Sequence, residues 1–325
     1  MIRSLYSGIS GMKNFQTKLD VIGNNISNVN TYGFKKGRTI FKDLISQTTS
    51  GASAGTATRG GVNAKQVGLG SQLAAIDTIH AGGSLQSTGN TLDLAISGDG
   101  FFQVADGTGG TAVGGITDFS NPLYTRAGNF YMDSNGYLVN SDGKFLVGYG
   151  ATWNGALTTV GTSYPSADTV VANANATGNL DSADAGYLPE VAPVTVTGGD
   201  YRPMRIPTNA QSMSIGQDGT ISFVDSTGVL RWAGQLVLAK FPNAGGLEKV
   251  GANYFKDTAN SGAPLNQVAT KEGMGTVNSG FLEMSNVDLS EEFTDMIVAQ
   301  RGFQANTRII TTSDSILEEL INLKR

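Results

Sequence analysis

Apolar residues near the N-terminus recur at intervals of three and four. They form one stripe: Ile2, Leu5, Ile9, Met12, Phe15, Leu19, Ile22, Ile26 and Val29. An average interval close to 3.5 residues is typical of a helix that buries one narrow face against another helix. The pattern predicts a helix over residues 2–29, about 42 Å long at about 1.5 Å per residue.

A second helical pattern occupies the C-terminal end. One register holds Leu289, Phe293, Met296, Phe303, Ile310, Leu317 and Ile321. Asp288 lies just before this pattern, and Glu291 lies three residues after Asp288. This spacing is the arrangement of a capping box. The sequence therefore predicts a long helix that begins after Asp288 and pairs with the first helix as an antiparallel coiled coil.

The long region between the two helices alternates apolar and polar residues around tight-turn dipeptides. The alternation is clearest in residues 91–107, 123–149 and 212–241, where Asp-Gly, Asn-Gly and Thr-Gly dipeptides separate the runs. Alternation is typical of half-buried strands, and these dipeptides supply the positive φ angles of tight hairpins. The sequence therefore predicts an α plus all-β multidomain protein, with β-rich structure inserted between the terminal helices.

Shifts in composition divide the chain into four predicted parts. Residues 1–46 with 285–325 form a terminal helical core domain, 47–70 a flexible connector, 71–150 with 200–284 a β-rich middle domain, and 151–199 a small inserted outer domain or surface excursion. The connector is predicted from its Gly, Ser, Ala and Thr content. The insert is predicted because its length exceeds that of an ordinary loop.

The two ends of the chain carry opposite charge, although the formal net charge is only −5. Residues 1–50 contain seven Lys/Arg and two acids, whereas residues 281–325 contain four Lys/Arg and eight acids. The basic residues are spread along a predicted helix and its exit. We therefore expect the ends to pair with each other and not with nucleic acid.

Residue types that carry catalysis or bind metals are scarce. The chain has no cysteine and one histidine, His80, with no second ligand at metal spacing. We interpret residues 98–100 as a hairpin turn instead of a phosphate loop, and residues 133–143 as two turns instead of a calcium loop, because Tyr137 stands where an oxygen ligand is needed. We expect no catalytic, cofactor or metal site, and no enzyme.

Five segments of the chain resemble one known family. The terminal ones are "SLYSGISGMKNFQTKLDVIGNNISNVNTYGFKKGR" and "SGFLEMSNVDLSEEFTDMIVAQRGFQANTRIITTSDSILEELINLKR", and the central ones are "TGNTLDLAISGDGFFQV", "YTRAGNFYMDSNGYLV" and "GLEKVGANYFKDTANSGAP". Together they cover most of the chain and resemble the bacterial flagellar axial proteins, the subunits of rod and hook. Residues 79–83 and 151–199 depart from the family's pattern.

Within the family, the N-terminal segment is closest to the hook subunit of Bacillus-like Gram-positive bacteria. The resemblance implies a structural subunit that self-assembles into a bendable hollow tube, a universal joint that passes motor torque from rod to filament. The alternative within the family is the distal rod subunit, and the extra segment at residues 151–199 favours the hook. An alternative of another class is a secreted adhesin or carbohydrate-binding module, with its site in the same segment.

The resemblance also implies partners and a location. The partners are further copies of the chain, the distal rod, the hook cap, the hook-filament junction and hook-length control proteins, and the flagellar type III export apparatus. Nucleic acid and direct membrane insertion are not expected. The location is extracellular, in the hook or basal body, and is reached without a cleaved signal peptide. The N-terminal segment agrees with this, because it lacks the apolar run of a secretory signal.

The resemblance assigns the apolar helix seams to the core and to subunit contacts. The residues so predicted are Leu5, Ile9, Met12, Leu19, Ile22, Ile26, Phe293, Met296, Phe303, Ile310, Leu317 and Ile321. Asn24, Asn25 and Asn28 exceed what one helix end needs, so we expect their amides to bridge neighbouring copies. Turns at the exit from the helical core and at the return to it are predicted at Asn30, Gly33, Phe34, Asn286 and Asp288.

Overall fold

The computed structural model describes most of the chain and divides it into two compact units. The described residues are 2–56, 58–108, 118–150, 201–226, 228 and 230–323. The first unit, here the helical unit, comprises Met1–Val29, Lys35–Ile79 and Val287–Arg325, and the second, the β unit, comprises Asn30–Phe34 and His80–Asn286. The predicted insert at residues 151–199 lies outside the described residues.

Two long helices form the core of the helical unit, as the hydrophobic patterns predict. Helix α1 spans Ile2–Ser27 and helix α2 spans Leu289–Asn322. Asp288 caps α2, because its carboxylate accepts hydrogen bonds from the backbone N–H groups of Ser290, at 2.8 Å, and Glu291, at 3.3 Å. The Glu291 carboxylate contacts the Lys36 Nζ at 2.7 Å.

Two antiparallel ribbons complete the helical unit. Strand β1 (Gly37–Asp43) pairs with β4 (Ser71–Thr78), and β2 (Ser46–Ser50) pairs with β3 (Lys65–Gly68). The first ribbon lies against α1, where the Asn14 Nδ2 donates to Ser71 Oγ at 2.8 Å. The sequence placed residues 71–78 with the β-rich domain and gave residues 47–70 no strands. The pairing of β1 with β4 groups both segments with the helices.

The β unit confirms that the middle of the chain is rich in strands. In chain order they are β5 (Leu85–Ser87), β6 (Leu94–Ser97), β7 (Phe101–Thr108), β8 (Asp118–Thr125), β9 (Tyr131–Met132), β10 (Leu138–Val139), β11 (Phe145–Gly150), β12 (Arg202–Pro203), β13 (Ser212–Ile215), β14 (Thr220–Val224), β15 (Leu230–Lys240), β16 (Glu248–Gly251), β17 (Tyr254–Lys256), β18 (Leu265–Val268), β19 (Thr276–Ser279) and β20 (Phe281–Glu283).

One large antiparallel sheet organises the β unit. Its main path runs β13-β14-β15-β11-β7-β8-β17-β16, and the smaller pairs β6 with β19 and β5 with β20 lie outside it. One face of the central strands holds side chains with no exposed surface, Phe102, Val104, Leu146, Leu236 and Leu238. Burying apolar surface contributes about 25 cal/mol of stabilising free energy per Å². This face is therefore the main source of stability in the β unit.

The two predicted turn regions have different outcomes. Residues 98–100 do not form a hairpin, because β6 pairs with β19 whereas β7 pairs with β8, β11 and β15. Residues 133–143 do contain two turns, closed by hydrogen bonds from Gly136 N to Asp133 O and from Gly143 N to Asn140 O, both 3.0 Å. Asp133 Oδ1 accepts hydrogen bonds from the backbone N–H groups of Asn135 and Tyr137. The turn that follows Asp133 therefore satisfies this carboxylate oxygen.

A buried ion pair joins three parts of the β unit. Arg126 Nη1 lies 3.3 Å from Glu283 Oε2, and both side chains are almost fully buried. Arg126 Nη2 donates to Gly98 O at 2.8 Å, and Glu283 Oε1 accepts the Gly83 N–H at 2.9 Å. Burial lowers the pKa of Arg126, and the Glu283 carboxylate opposes that shift. The pair therefore fixes the end of β20 to the chain around Gly83 and Gly98.

Replacing Glu283 by Gln should strongly destabilise the β unit. The substitution leaves the Arg126 charge buried without its counter-ion, which costs about 3–5 kcal/mol in comparable sites. The control is Asp106→Asn, which removes a partly exposed pair with Lys144 and should cost about 0–1 kcal/mol. Urea unfolding followed by the fluorescence of Trp232, which is buried in β15, measures both changes. Equal losses in the two variants would contradict the role given to the buried pair.

Candidate subunit interface

Helices α1 and α2 contact each other in opposite directions along the helical unit. A Cβ added at Gly8 would lie 3.3 Å from Ile310 Cγ1, and one added at Gly11 would lie 2.8 Å from Asn306 Oδ1. Further along α1, Lys18 Nζ lies 3.1 Å from Asp295 Oδ2. As the residue number on α1 increases from 8 to 18, the residue number of the partner on α2 decreases from 310 to 295. The helices therefore run antiparallel here.

Small residues fill the contact between these helices, which we name the seam. A Cβ added at Gly302 would lie 2.6 Å from Phe15 Cζ, and Ala299 has no exposed surface. Such residues let two helix backbones approach closely. Hydrophobic periodicity does not reveal these small residues, because it follows the large apolar side chains. The available signal was the occurrence of glycines at 8 and 11, inside a predicted helix.

The apolar residues predicted for the seam therefore occupy different positions. Ile22 is buried, whereas Leu5, Ile9, Met12, Leu19, Ile26, Met296, Phe303, Ile310 and Leu317 are partly buried. Phe293 is 50% exposed and Ile321 is 67% exposed. Ile310 and Met12 do lie in the contact between the helices, beside Gly8 and Thr307 respectively, whereas α1 leaves Phe293 and Ile321 largely exposed. Their assignment to contacts between subunits stays a prediction.

Asn25 connects three elements at one end of the seam. It is 1% exposed, and its Nδ2 donates to Gly37 O at 2.9 Å and to Glu292 Oε2 at 3.2 Å. Its Oδ1 accepts the Gly37 N–H at 2.9 Å. Both amide protons and the carbonyl are thus engaged inside the chain, so the expected bridge from Asn25 to a neighbouring copy is not supported. Asn24 is exposed, and Asn28 donates to its Oδ1 at 3.0 Å.

Opposite charges on the two ends pair as the sequence predicts. The contacts are Lys18 with Asp295 and Lys36 with Glu291. Both acids are at least half exposed, so each pair contributes only about 0–1 kcal/mol. Glu292, between these acids, is 6% exposed. Burial raises the pKa of Glu292, and its hydrogen bond from Asn25 opposes the shift.

The predicted turn residues lie in the β unit, apart from Asp288. Gly33 has φ +70°, and a Cβ there would lie 2.5 Å from Ala127 N, so the turn requires glycine. Its N–H donates to Glu283 O at 2.8 Å, which brings the outgoing and returning segments together. Phe34 is buried, Asn286 Nδ2 donates to Ala81 O at 3.3 Å, and Asn30 is exposed.

Helix α2 also exposes apolar side chains on two further sides. The first flank consists of Leu289, Phe293 and Ile297, and the second flank consists of Val298, Ile309, Ile316, Leu320 and Leu323. At about 100° per residue, the two flanks lie on opposite sides of the helix face that meets α1. Between them runs a polar stripe, defined by Thr294, Arg301, Arg308, Thr312 and Glu319. Exposed apolar surface of this extent marks an interaction site.

Other kinds of site are not found in the described parts of the chain. These residues contain no group of three or more His, Cys, Asp or Glu side chains that could hold a metal ion. Among the same residues, neither helix is long and apolar enough to cross a membrane. A paired helix with two bare apolar flanks, joined to a β unit, is typical of a structural subunit that completes its packing with other chains.

Comparisons with known proteins show the family to which this structural subunit belongs. Three family models match: "Flagella basal body rod protein" over residues 5–35, "Flagellar hook protein FlgE/F/G D1 domain" over residues 95–223, and "Flagellar basal body rod FlgEFG protein C-terminal" over residues 278–323. The flagellar basal-body rod protein FlgG of Bacillus subtilis is 50% identical over 327 residues and covers 100% of both chains. The chain belongs to the flagellar rod and hook protein family.

Both branches of the family are represented among the relatives. The flagellar hook protein FlgE of Borreliella burgdorferi is 34% identical over 453 residues, and the rod protein FlgG of the same organism is 35% identical over 331 residues, each with 100% of both chains covered. The family is a structural component of the flagellum and not an enzyme family. The adhesin alternative has no counterpart in these matches.

Replacing Gly302 by Ala should weaken the contact between α1 and α2. The added methyl group collides with the Phe15 ring, and overpacking of this kind costs about 1–3 kcal/mol. Gly23→Ala is the matched control, because no atom lies within 4 Å of a Cβ at that position of α1. It should gain up to about 1 kcal/mol from helix propensity. Thermal unfolding followed by helical circular dichroism checks both, and a stabilised Gly302→Ala variant would contradict the seam.

Proposed function

We propose that the chain is a rod-type subunit of the flagellar axial tube. The observation that carries this is the end-to-end match, at 50% identity, to a protein described as a basal-body rod protein. That alignment spans 327 residues for a chain of 325, whereas the hook alignment spans 453. Since a rod relative aligns through residues 151–199 without a large length difference, the presence of that segment does not favour the hook over the rod.

The hook subunit is the second candidate. It is favoured by a hook relative at 34% identity over the whole chain and by a match to a family model that covers hook and rod domains alike. A hook subunit would bend as a universal joint, whereas a rod subunit would form a straight, stiff tube. The chain's terminal helices would serve both, because each tube needs a continuous inner layer.

The helical unit supports a specific arrangement in the tube. The antiparallel helices act as a coiled-coil core, and the two apolar flanks of α2 contact copies on either side. The polar stripe on α2 then faces the aqueous channel, because charged and hydroxyl side chains remain hydrated there. The partly buried Leu5, Ile9, Met12 and Leu19 on α1, with the surface amides of Asn24 and Asn28, supply further contacts.

Partners and location follow from the same proposal. The chain polymerises with itself and joins neighbouring rod, hook, cap or junction proteins of the axial structure. It reaches its position outside the cytoplasm through the flagellar type III export apparatus, without a cleaved signal peptide. The helical unit supplies the contacts of the inner layer of the tube. Residues 47–70, predicted as a connector, belong to the helical unit.

Polar substitutions on the first flank should block assembly and leave the subunit folded. Phe293→Ser with Ile297→Ser removes two side chains that are 50% and 59% exposed in the subunit. Burying such side chains contributes about 1.5–3 kcal/mol each, so we expect the concentration needed for polymerisation to rise at least about tenfold. Thr312→Ala with Glu319→Ala, on the polar stripe, is the control. Sedimentation of polymers and circular dichroism measure assembly and folding, and normal polymerisation of the first variant would refute the interface.

Antibody labelling of purified hook-basal bodies should separate rod from hook. We expect gold particles on the straight segment inside the envelope, because the chain aligns end to end with a rod protein. The matched control is the same preparation from cells that lack the gene and carry a tagged copy of another axial subunit. Labelling of the curved segment outside the cell would overturn the rod assignment in favour of the hook.

A further inference from the structure

A buried carboxylate lies in the first turn of α2, where it contacts α1. The proposed function gives this carboxylate no role. Glu292 of α2 is 6% exposed, and the Asn25 Nδ2 of α1 donates to its Oε2 at 3.2 Å. Asn25 is itself fixed by two hydrogen bonds to Gly37. The hydrogen bond to Glu292 therefore comes from a rigid, neutral amide.

The charged groups around Glu292 shift its pKa in both directions, and burial outweighs each of them. Burial has the largest effect and raises the pKa of Glu292, the hydrogen bond from Asn25 comes second and lowers it, and Glu291 and Asp295 on α2 raise it with smaller effects. Lys36, before β1, lowers it, but its Nζ contacts Glu291 Oε2 at 2.7 Å. Lys18 of α1 pairs with Asp295 at 3.1 Å. Three carboxylates thus face two lysines, and the buried one is held by the neutral amide.

We propose that the docking of α2 onto α1 takes up a proton at Glu292, so that the strength of the helix pair depends on pH. The proton comes from water and binds one carboxylate oxygen, and no covalent bond other than this O–H is made. The neutral carboxyl keeps its hydrogen bond from Asn25 through the remaining oxygen. When the helices separate, the carboxyl becomes hydrated and releases the proton.

The sign of the effect follows from the direction of the shift. Burial raises the pKa of Glu292 in the docked state above the value of about 4.3 for a free glutamate. A group of this kind stabilises the docked state below the unfolded pKa, and that contribution is lost as pH rises through the folded pKa. The helix pair is therefore tightest in mild acid and loosens toward neutral pH. This inference does not depend on whether the tube is rod or hook.

The test compares the full chain with Glu292→Gln over a pH series. Gln keeps an oxygen that accepts from Asn25 but cannot ionise. The melting temperature of the helical signal of the unmodified chain should fall between about pH 4 and about pH 7, relative to that of the variant. The two chains should melt together near the acid end, and the variant should melt higher near neutral pH. Glu319→Gln, an exposed change on α2, should keep the slope of the unmodified chain.

A second measurement reads the proton directly. Carboxyl NMR of the chain labelled at glutamate should show one resonance with a raised pKa that is missing from the spectrum of Glu292→Gln. A difference between the unmodified chain and Glu292→Gln that is constant across the pH series would overturn the proposal. So would a Glu292 resonance that titrates at the free-glutamate pKa of about 4.3.

Discussion

The close approach of α1 and α2 is the constraint on which the rest of the helical unit depends. Gly11 and Gly302 lie where a Cβ would meet the facing helix, and Ala299 between the helices has no exposed surface. A seam of small residues buries little apolar area of its own. It leaves large apolar side chains of α2 on two outer flanks, which the described residues do not cover and which form an interaction surface. The tightness of the pair inside one subunit thus creates the surface that would join subunits.

Buried polar groups set the geometry of both units. In the helical unit, Asn25 holds the start of β1 and the carboxylate of Glu292. In the β unit, Arg126 and Glu283 hold β20 to loops far away in sequence. Each group is costly to leave unsatisfied in a dry environment, so each accepts few alternative arrangements. Their contribution is better described as specifying one arrangement than as adding stability.

The chain belongs to the flagellar rod and hook protein family, whose subunits assemble into polymers of the flagellar basal body. It divides into a helical unit and a β unit, and the exposed apolar flanks belong to the helical unit. Three asparagines near the end of α1 have two distinct roles. Asn25 is buried and joins α1 to β1 and α2 by hydrogen bonds. Asn24 and Asn28 remain at the surface and form a hydrogen bond with each other.

The sequence by itself determined the elements and the class of protein. Helical periodicity predicts α1 to within two residues, Asp288 marks the start of α2, and alternation identifies strands between them. These features are local, so neighbouring residues decide them. Only the tertiary structure decided which face of α2 meets α1, how β6 and β7 pair, and that residues 71–78 pack with the helices. Those choices depend on how closely distant backbones approach, and hydrophobic periodicity carries no information about that distance.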